Sequence, residues 1–206
     1  GGCRPVAVPA FQKDGDMKNL LEIKEISIAF GGVKAVNNVS ISVPEGRVFS
    51  IIGPNGAGKT TLFNIISGLY IPHHGSIDLQ GTNIVGSRPD LLARKGLSRT
   101  FQNLQIFTQM SAIENVMVGR HIHEQTSLFS QLFSLPGVLR ENRESANYAR
   151  EMLSFVGLDA FAGSMASEMP YGALKRLEIA RALATRPRIL LLDEPAAGCN
   201  PTETTE

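Results

Sequence analysis

A run of eight residues, GPNGAGKT at positions 53–60, carries the residue types and the spacing that bind phosphate. It fits the pattern G-x-x-x-x-G-K-[ST], in which glycines let the backbone turn so that successive N–H groups point at one anion. We expect Lys59 to reach the β- and γ-phosphates of a nucleoside triphosphate and the hydroxyl of Thr60 to ligate Mg²⁺. The alternative is a glycine-rich turn with an incidental lysine.

Two adjacent carboxylates follow a second apolar run. Residues 189–192, ILLL, predict a buried strand, and Asp193 and Glu194 come directly after it. At the carboxyl end of a parallel strand, Asp193 is expected to hold Mg²⁺, and Glu194 is expected to polarise the attacking water as general base. The alternative is a pair of solvated acids at a strand end. Together with the phosphate run, the pair predicts hydrolysis of a nucleoside triphosphate.

The elements around the phosphate run favour the functional interpretation. Residues 48–52, VFSII, are mostly apolar and rich in β-formers, and they predict a buried strand. After the run, apolar residues at i, i+3, i+4 and i+7 predict one helix face, made of Leu62, Ile65, Ile66 and Leu69. The amino end of that helix would add the positive end of its dipole where the phosphates lie. A strand, a glycine loop and a helix in this order are the context that the motif needs.

Two further strands precede the phosphate run. Residues 21–30 and 39–43 alternate between apolar and polar side chains, and they predict a small antiparallel β layer beside the nucleotide. Phe30 ends the first strand, where an aromatic ring either stacks on a purine or packs in the core, and its position leaves both open. Val36 follows a few residues later and is a candidate to line the same base.

A helical region separates the two groups of motif residues. Ser111 and Glu114 have the spacing of a capping box, and residues 141–156 have the pattern of an amphipathic helix that ends at Gly157. The apolar side of the 141–156 helix is predicted to hold Tyr148, Met152, Phe155 and Val156.

A second apolar stripe, at 121–140, is predicted from Leu128, Phe129, Leu132 and Phe133. Because the flanking regions alternate strands and helices, we predict an α/β domain with an α-helical insert at about residues 103–170.

The composition limits the class of protein. The chain has 206 residues, of which 43% are hydrophobic, and a formal net charge of +1. A hydrophobic core is therefore expected, and the balanced charge gives no reason to expect binding to nucleic acid. No apolar run in the sequence approaches the roughly 18 residues of a membrane-spanning helix. We expect residues 1–16 to be a disordered leader and residues 17–206 to be one domain that is incomplete at its C-terminus.

These motifs resemble those of a known family, the ATP-binding subunits of ABC transporters, over about residues 20–206. Residues 53–61 resemble its Walker A loop, and residues 189–194 resemble its Walker B strand with the catalytic glutamate. Residues 170–173 resemble the ABC signature, and residues 197–200 resemble the D-loop. The resemblance implies a P-loop NTPase fold of the α/β class, with an antiparallel β subdomain and an inserted α-helical subdomain.

The resemblance also implies a role for individual residues. Gln102 matches the Q-loop glutamine, which senses the nucleotide through Mg²⁺ and couples to the membrane subunit, and Phe30 matches the aromatic that stacks on adenine. The residues implied in ATP binding are Phe30, Val36, Gly53, Asn55, Gly56, Ala57, Gly58, Lys59, Thr60, Thr61, Tyr171 and Gly172. The residues implied in Mg²⁺ binding are Thr60, Gln102 and Asp193, and those implied in catalysis are Glu194 and Gln102.

A closer resemblance is to the ATPases of importers for branched-chain, or hydrophobic, amino acids. It is carried by the phrases RTFQNLQIF, AIENVMVGRH, RLEIARAL and DEPAAGCNP. It implies a homo- or heterodimer on the cytoplasmic face of the membrane, bound to transmembrane permease subunits and indirectly to a solute-binding protein. In that dimer, the Walker A loop of one subunit would face Tyr171 and Gly172 of the other.

The chain departs from the family pattern at four points. Pro170 and Ala173 stand where the signature usually has a small residue and glutamine, and Cys199 stands where the D-loop usually has leucine. The chain also ends before the switch-loop histidine of the family. Two alternatives therefore stay open beside a transport ATPase. One is a hydrolysis-impaired nucleotide-binding module of the same fold, and the other is a soluble ABC ATPase outside transport.

Overall fold

The computed structural model describes residues 18–100, 104–121 and 136–193, with side chains from residue 142 onward in the last segment. Contacts divide the chain into two compact units, one ending at Leu92 and one beginning at Ala93. Several sequence predictions lie outside the described residues, namely the leader at 1–16, Gln102, the stripe at 128–133, Glu194 and the D-loop at 197–200.

An antiparallel sheet of four strands, in the order β2-β1-β3-β4, forms the framework of the first unit. The strands are β1 (Asn19–Phe30), β2 (Val33–Pro44), β3 (His74–Leu79) and β4 (Thr82–Asn83). The antiparallel pair predicted ahead of the phosphate run is thereby confirmed as β1 and β2. Pairing between them continues to the tight turn, where Phe30 lies opposite Val33.

The first strand buries one face along its length despite a break in its alternation. Leu21 and Ile23 are buried, and so are Ile26 and Ile28, although the second pair is out of phase with the first. The register shifts between Ile23 and Ile26, where Glu25 has a φ of 52°. An extra residue of this kind returns the side chains that follow to the same face of the sheet.

The helix predicted after the glycine run is α1 (Lys59–Ile66), which buries Leu62, Ile65 and Ile66. Leu69 was predicted to lie on the same face, but the helix ends before it and its side chain is half exposed. A second short helix, α2 (Pro89–Arg94), follows the sheet.

The strand predicted at residues 48–52 does not form. The structure describes these residues without assigning them to a strand, and the side chains of Val48 and Ile52 are exposed. An extended apolar segment becomes a strand only where a neighbouring strand completes its backbone hydrogen bonds. The four described strands of the first unit's sheet do not include these residues, so their β-forming composition alone does not decide their structure.

Three helices pack together in the second unit, α3 (Ala112–Arg120), α4 (Pro136–Phe155) and α5 (Tyr171–Ala184). Two 3₁₀ turns, Asp159–Phe161 and Ala166–Glu168, connect α4 to α5. The buried core consists of Ala112, Val116, Ala149, Leu153, Leu158, Ala166, Met169, Ala173, Leu177, Ala180 and Ala184. Each fully buried leucine in such a core contributes about 1.5–3 kcal/mol.

Two local signals at helix ends are confirmed. The hydroxyl of Ser111 accepts the backbone N–H of Glu114, and the carboxylate of Glu114 accepts the backbone N–H of Ser111, so the predicted capping box opens α3. Gly157 has a φ of 69° and ends α4, where the N–H of Leu158 donates to the carbonyl of Leu153. A Gly in the left-handed region followed by such a long-reaching bond is a common helix ending.

The predicted apolar side of α4 is partly wrong. Ala149 and Leu153 are fully buried, whereas Tyr148 and Met152 are only partly buried at the edge of the core. Phe155 is 77% exposed. The face that packs against α3 and α5 is therefore centred one residue away from the predicted stripe, which carries Phe155 to the outside.

A parallel pair of strands carries the second group of motif residues. These strands are β5 (Leu97–Arg99) and β6 (Ile189–Leu191), and the N–H of Thr100 donates to the carbonyl of Leu191 just beyond them. The predicted strand is present, but its residues are partly rather than fully buried. Because parallel strands end at the same edge, the residues after β5 and β6 lie close together. Within the described chain, no helix is both long and apolar enough to cross a membrane.

Candidate functional site

The glycine run forms a loop that leads directly into α1. The N–H of Ala57 donates to the carbonyl of Pro54 at 3.2 Å. The ammonium of Lys59 donates to the carbonyl oxygens of Gly53 and Pro54, at 2.7 and 3.0 Å, and so reaches back across the loop. Both acceptors are uncharged, and a phosphate oxygen in their place would form a stronger, charge-assisted bond.

Gly58 is required by a close approach between the loop and the sheet. Its φ is 88°, and a Cβ at this position would overlap the carbonyl oxygen of Ala35. The same Cβ would lie 3.5 Å from the side chain of Val36, which is buried. Strand β2 therefore packs directly against the loop. A residue larger than glycine at position 58 would push the loop away from β2.

The amino end of α1 is open to an anion. Gly58 is the N-cap and supplies no side-chain hydrogen bond, so the first N–H groups of the helix are left for another acceptor. The helix dipole adds a partial positive charge there. Thr60 is exposed and Thr61 is partly exposed on this first turn. The geometry is suited to the phosphate binding that the sequence predicts.

Phe30 lies at the end of β1, in the same unit as the loop, and 47% of its surface is exposed. Its ring packs against the ring of Tyr70, with centroids 5.3 Å apart and ring planes at 64°. An exposed ring at a strand end has a surface to offer a base, whereas buried Val36 has little. Stacking on adenine stays a prediction for both residues.

Asp193 lies in the second unit and forms a buried ion pair. Its carboxylate is 3.0 Å from the guanidinium of Arg99, and the side chains of both residues are more than nine-tenths buried. The backbone N–H of Asp193 also lies 3.4 Å from the hydroxyl oxygen of Thr100. The predicted metal ligand is thus held at the shared edge of β5 and β6 by residues of the neighbouring strand.

The donor atoms available fit Mg²⁺. Thr60 offers a hydroxyl and Asp193 a carboxylate, and oxygen ligands of this kind are those that Mg²⁺ takes beside substrate phosphates and water. The described residues hold no group of three or more His, Cys, Asp or Glu side chains that could bind a metal ion. Binding of Mg²⁺ by Thr60 and Asp193 stays a prediction.

The predicted signature residues open α5. Pro170 is the N-cap with an extended backbone, and the helix begins at Tyr171. Tyr171 is exposed, and the ammonium of the buried Lys175 lies 5.8 Å from the centre of its ring. Gly172 is buried within its own chain. Contacts from Tyr171 and Gly172 to a nucleotide of a partner subunit remain predictions.

A cavity of about 460 Å³ lies beside β5 and the segment that follows it. Phe107 lines the cavity and is half exposed, and the guanidinium of Arg181 lies 5.6 Å from the centre of its ring. Burial lowers the pKa of Arg181, and the negative charge of Glu178 opposes that shift. The cavity is therefore lined by the apolar ring of Phe107 beside the partly buried guanidinium of Arg181.

Two residues of this arrangement were missed by the sequence analysis. Arg99 has a weak signal, a basic residue at the end of a short strand, and only the parallel pairing of β5 with β6 brings it to Asp193. Tyr70 follows α1 and has no motif around it, so its contact with Phe30 depends on the fold of the first unit.

Comparison with known proteins decides the family. The profile described as "ABC transporter" matches residues 36–197 of this chain. The chain belongs to the ABC transporter family. This membership agrees with the glycine loop before α1 in the first unit and with the strand before Asp193 in the second.

Curated relatives within the ABC transporter family are similar over most of the chain. The chain is 49% identical over 185 residues to the high-affinity branched-chain amino acid transport ATP-binding protein BraF of Pseudomonas aeruginosa, covering 90% of this chain and 72% of the relative. It is 44% identical over 187 residues to the protein LivG of Escherichia coli, named in the same words, covering 91% of this chain and 73% of the relative.

Solved structures of ABC transporter proteins confirm the predicted fold class. The ADP conformation of an ATP-binding cassette of an ABC transporter superposes with a TM-score of 0.76 and 36% identity, covering 91% of this chain and 73% of that one. The protein cbiO1 of Clostridium perfringens, described as part of the ABC transporter complex cbiONQ, gives a TM-score of 0.74 and 26% identity over 91% of this chain and 70% of that one.

Proposed function

We propose that this chain is the ATP-binding and ATP-hydrolysing subunit of an importer for branched-chain amino acids. The observation that carries the proposal is the glycine loop, in which Lys59 reaches back to Gly53 and Pro54 and the amino end of α1 is left open. The names of the relatives, branched-chain amino acid transport ATP-binding proteins, support the choice of transported solute.

In the proposed binding step, the phosphates enter the loop between residues 53 and 61. Lys59 exchanges two neutral carbonyl acceptors for β- and γ-phosphate oxygens, and the open N–H groups of α1 point at the same anion. Asn55, Gly56 and Ala57 provide backbone around the phosphates. Phe30 receives the adenine ring at the exposed end of β1.

In the proposed hydrolysis step, Thr60, Asp193 and Gln102 are the residues that would hold Mg²⁺, and the ion would supply positive charge to the β- and γ-phosphates. Glu194 accepts a proton from the attacking water, which adds to the γ-phosphorus as the bond to the bridging oxygen breaks. The products are ADP and inorganic phosphate.

The proposed assembly contains two ATP-binding subunits, either identical or different, and permease subunits on the cytoplasmic face of the membrane. Each nucleotide would lie between the phosphate loop of one subunit and Tyr171 and Gly172 of the other. A solute-binding protein would act on the permease from the opposite side. We propose residues 17–206 as the nucleotide-binding domain and about 103–170 as its helical insert.

The cavity lined by Phe107 is the surface we propose for the permease. Gln102, which the family resemblance links to the membrane subunit, lies in the sequence between the cavity-lining residues Arg99 and Leu104. The half-exposed ring of Phe107 and the guanidinium of Arg181 offer apolar and charged contacts in one place. A permease segment carrying an apolar residue beside an acid would match both.

A second candidate function is a nucleotide-binding module with little or no hydrolysis. It is favoured by Ala173, which stands at the signature position usually held by glutamine and is buried in the helical core. A buried methyl group there provides no polar contact to a nucleotide.

The test is ATP hydrolysis and leucine uptake by the whole protein reconstituted with its permease subunits. The proposal predicts uptake that requires ATP, and loss of both activities in Lys59→Ala. Glu194→Gln, which keeps the size of the side chain but cannot accept a proton, should bind ATP without turning it over. ATP binding without hydrolysis in the parent protein would instead support the second candidate. Hydrolysis at the parental rate by Lys59→Ala would refute the site itself.

A further inference from the structure

The ring of Tyr70 packs edge-to-face against the ring of Phe30. The two centroids are 5.3 Å apart, and the planes meet at 64°, which is the edge-to-face geometry that aromatic pairs favour. Phe30 and Tyr70 are both partly exposed, at 47% and 39%. The pair therefore lies at the surface of the first unit, where no surrounding core encloses the ring of Phe30.

The backbone around Tyr70 is anchored. The N–H groups of Leu69 and Tyr70 both donate to the carbonyl of Asn64, at 2.8 and 3.2 Å, so the segment is tied to the last turns of α1. A few residues later, the N–H of His73 donates to the carbonyl of Ser27 in β1. Tyr70 is thus held between two fixed elements, and its ring meets Phe30 with a defined approach.

We propose that Tyr70 is a positioning residue of the adenine subsite, holding the ring of Phe30 so that its exposed face meets the base. The inference rests on the proposed function, in which Phe30 stacks on adenine. It assigns Tyr70 no contact with the phosphates. In this proposal, Lys59 at the start of α1 binds the phosphates, and Tyr70, which follows the end of α1, positions the ring that stacks on adenine.

The test compares affinities for ATP and for inorganic tripolyphosphate in the whole protein. Tyr70→Ala should weaken ATP binding about two- to tenfold, the range expected for loss of an aromatic pair, and should leave tripolyphosphate binding unchanged. Tyr70→Phe keeps the ring and should bind ATP with the affinity of the parent protein. Tyr70→Leu keeps apolar bulk without a ring and should behave like Tyr70→Ala. Ile71→Ala, a neighbouring exposed apolar residue, is the matched control.

A double substitution makes the test specific. If Tyr70 acts through Phe30, adding Tyr70→Ala to Phe30→Ala should cause no further loss of ATP affinity. An additional loss of the full single-variant size would overturn the proposal, and so would equal weakening of ATP and tripolyphosphate. If Phe30→Ala weakens ATP binding but Tyr70→Ala does not, the positioning role alone is wrong. If Phe30→Ala has no effect, the proposed adenine subsite fails, and the positioning role fails with it.

Discussion

The guanidinium of Arg99 lies 3.0 Å from the carboxylate of Asp193, and the two residues are 94 positions apart in the chain. Both side chains are almost fully buried at the carboxyl ends of the parallel strands β5 and β6. In the structure, the carboxylate proposed for Mg²⁺ is thus compensated by a protein cation. Breaking a buried pair of this kind is costly because the remaining charge loses its partner.

The first prediction concerns this ion pair. Arg99→Met should lower the free energy of unfolding by about 3–5 kcal/mol, because it leaves the carboxylate of Asp193 buried without its cation. Asp193→Asn in the Arg99→Met background should recover a large part of that loss. Denaturant unfolding of the four proteins in a double-mutant cycle measures the coupling. Two independent, additive losses would mean that the pair does not interact in solution.

The second prediction compares two glycines of the same loop. Gly56 and Gly58 both have positive φ, but an added Cβ would meet nothing within 4 Å at Gly56 and would overlap the carbonyl of Ala35 at Gly58. Gly56→Ala should therefore cost about 1–2 kcal/mol of backbone strain. Gly58→Ala should cost more and should also weaken ATP binding, because the loop must move away from β2. Similar unfolding midpoints and ATP affinities for the two variants would contradict the close approach.

The third prediction concerns the permease surface. Phe107→Asp should weaken assembly with the permease subunits about tenfold or more, because it places an acid where the apolar ring now lines the cavity. ATP binding by the isolated subunit should be unchanged. Phe155→Asp is the matched control, since Phe155 is also an exposed aromatic of the second unit but does not line the cavity. Co-purification of permease with each variant measures the effect, and equal losses for both would rule out a role for the cavity.

The fourth prediction is a pH dependence at the start of α3. The hydrogen bonds from the hydroxyl and the backbone of Ser111 lower the pKa of Glu114 below its ordinary value of 4.5. A lowered folded-state pKa means that the capping box stabilises the protein above pH 4.5 and that this stabilisation is lost as the pH falls through the lowered pKa.

Ser111→Ala should accordingly cost about 1 kcal/mol at neutral pH and less in acid. Unfolding free energies of the parent and Ser111→Ala across this pH range measure the difference. Ser167→Ala, an exposed serine of the same unit, is the control. A loss on Ser111→Ala that stays constant into acid would show that the Glu114 carboxylate does not participate.

Local sequence determined several features of this protein by itself. Ser111 and Glu114 predicted a cap, Gly157 predicted a helix end, and the apolar alternation on either side of Gly31 predicted an antiparallel pair, and all three are present. The cap and the helix end depend on hydrogen bonds between residues close in sequence, and the antiparallel pair starts from a tight turn that brings Phe30 opposite Val33. Such bonds form wherever the backbone dihedral angles allow, so the residue types are sufficient information.

Only the tertiary structure decided the features that depend on distant neighbours. Residues 48–52 have the composition of a strand but form none, and Phe155 lies outside because the α4 face is chosen by its packing against α3 and α5. The pairing of Arg99 with Asp193 follows from which strands lie side by side. The physical reason is that burial and strand pairing are stabilised by many contacts between segments distant in the sequence. A local sequence pattern does not contain the information on which segments will be neighbours.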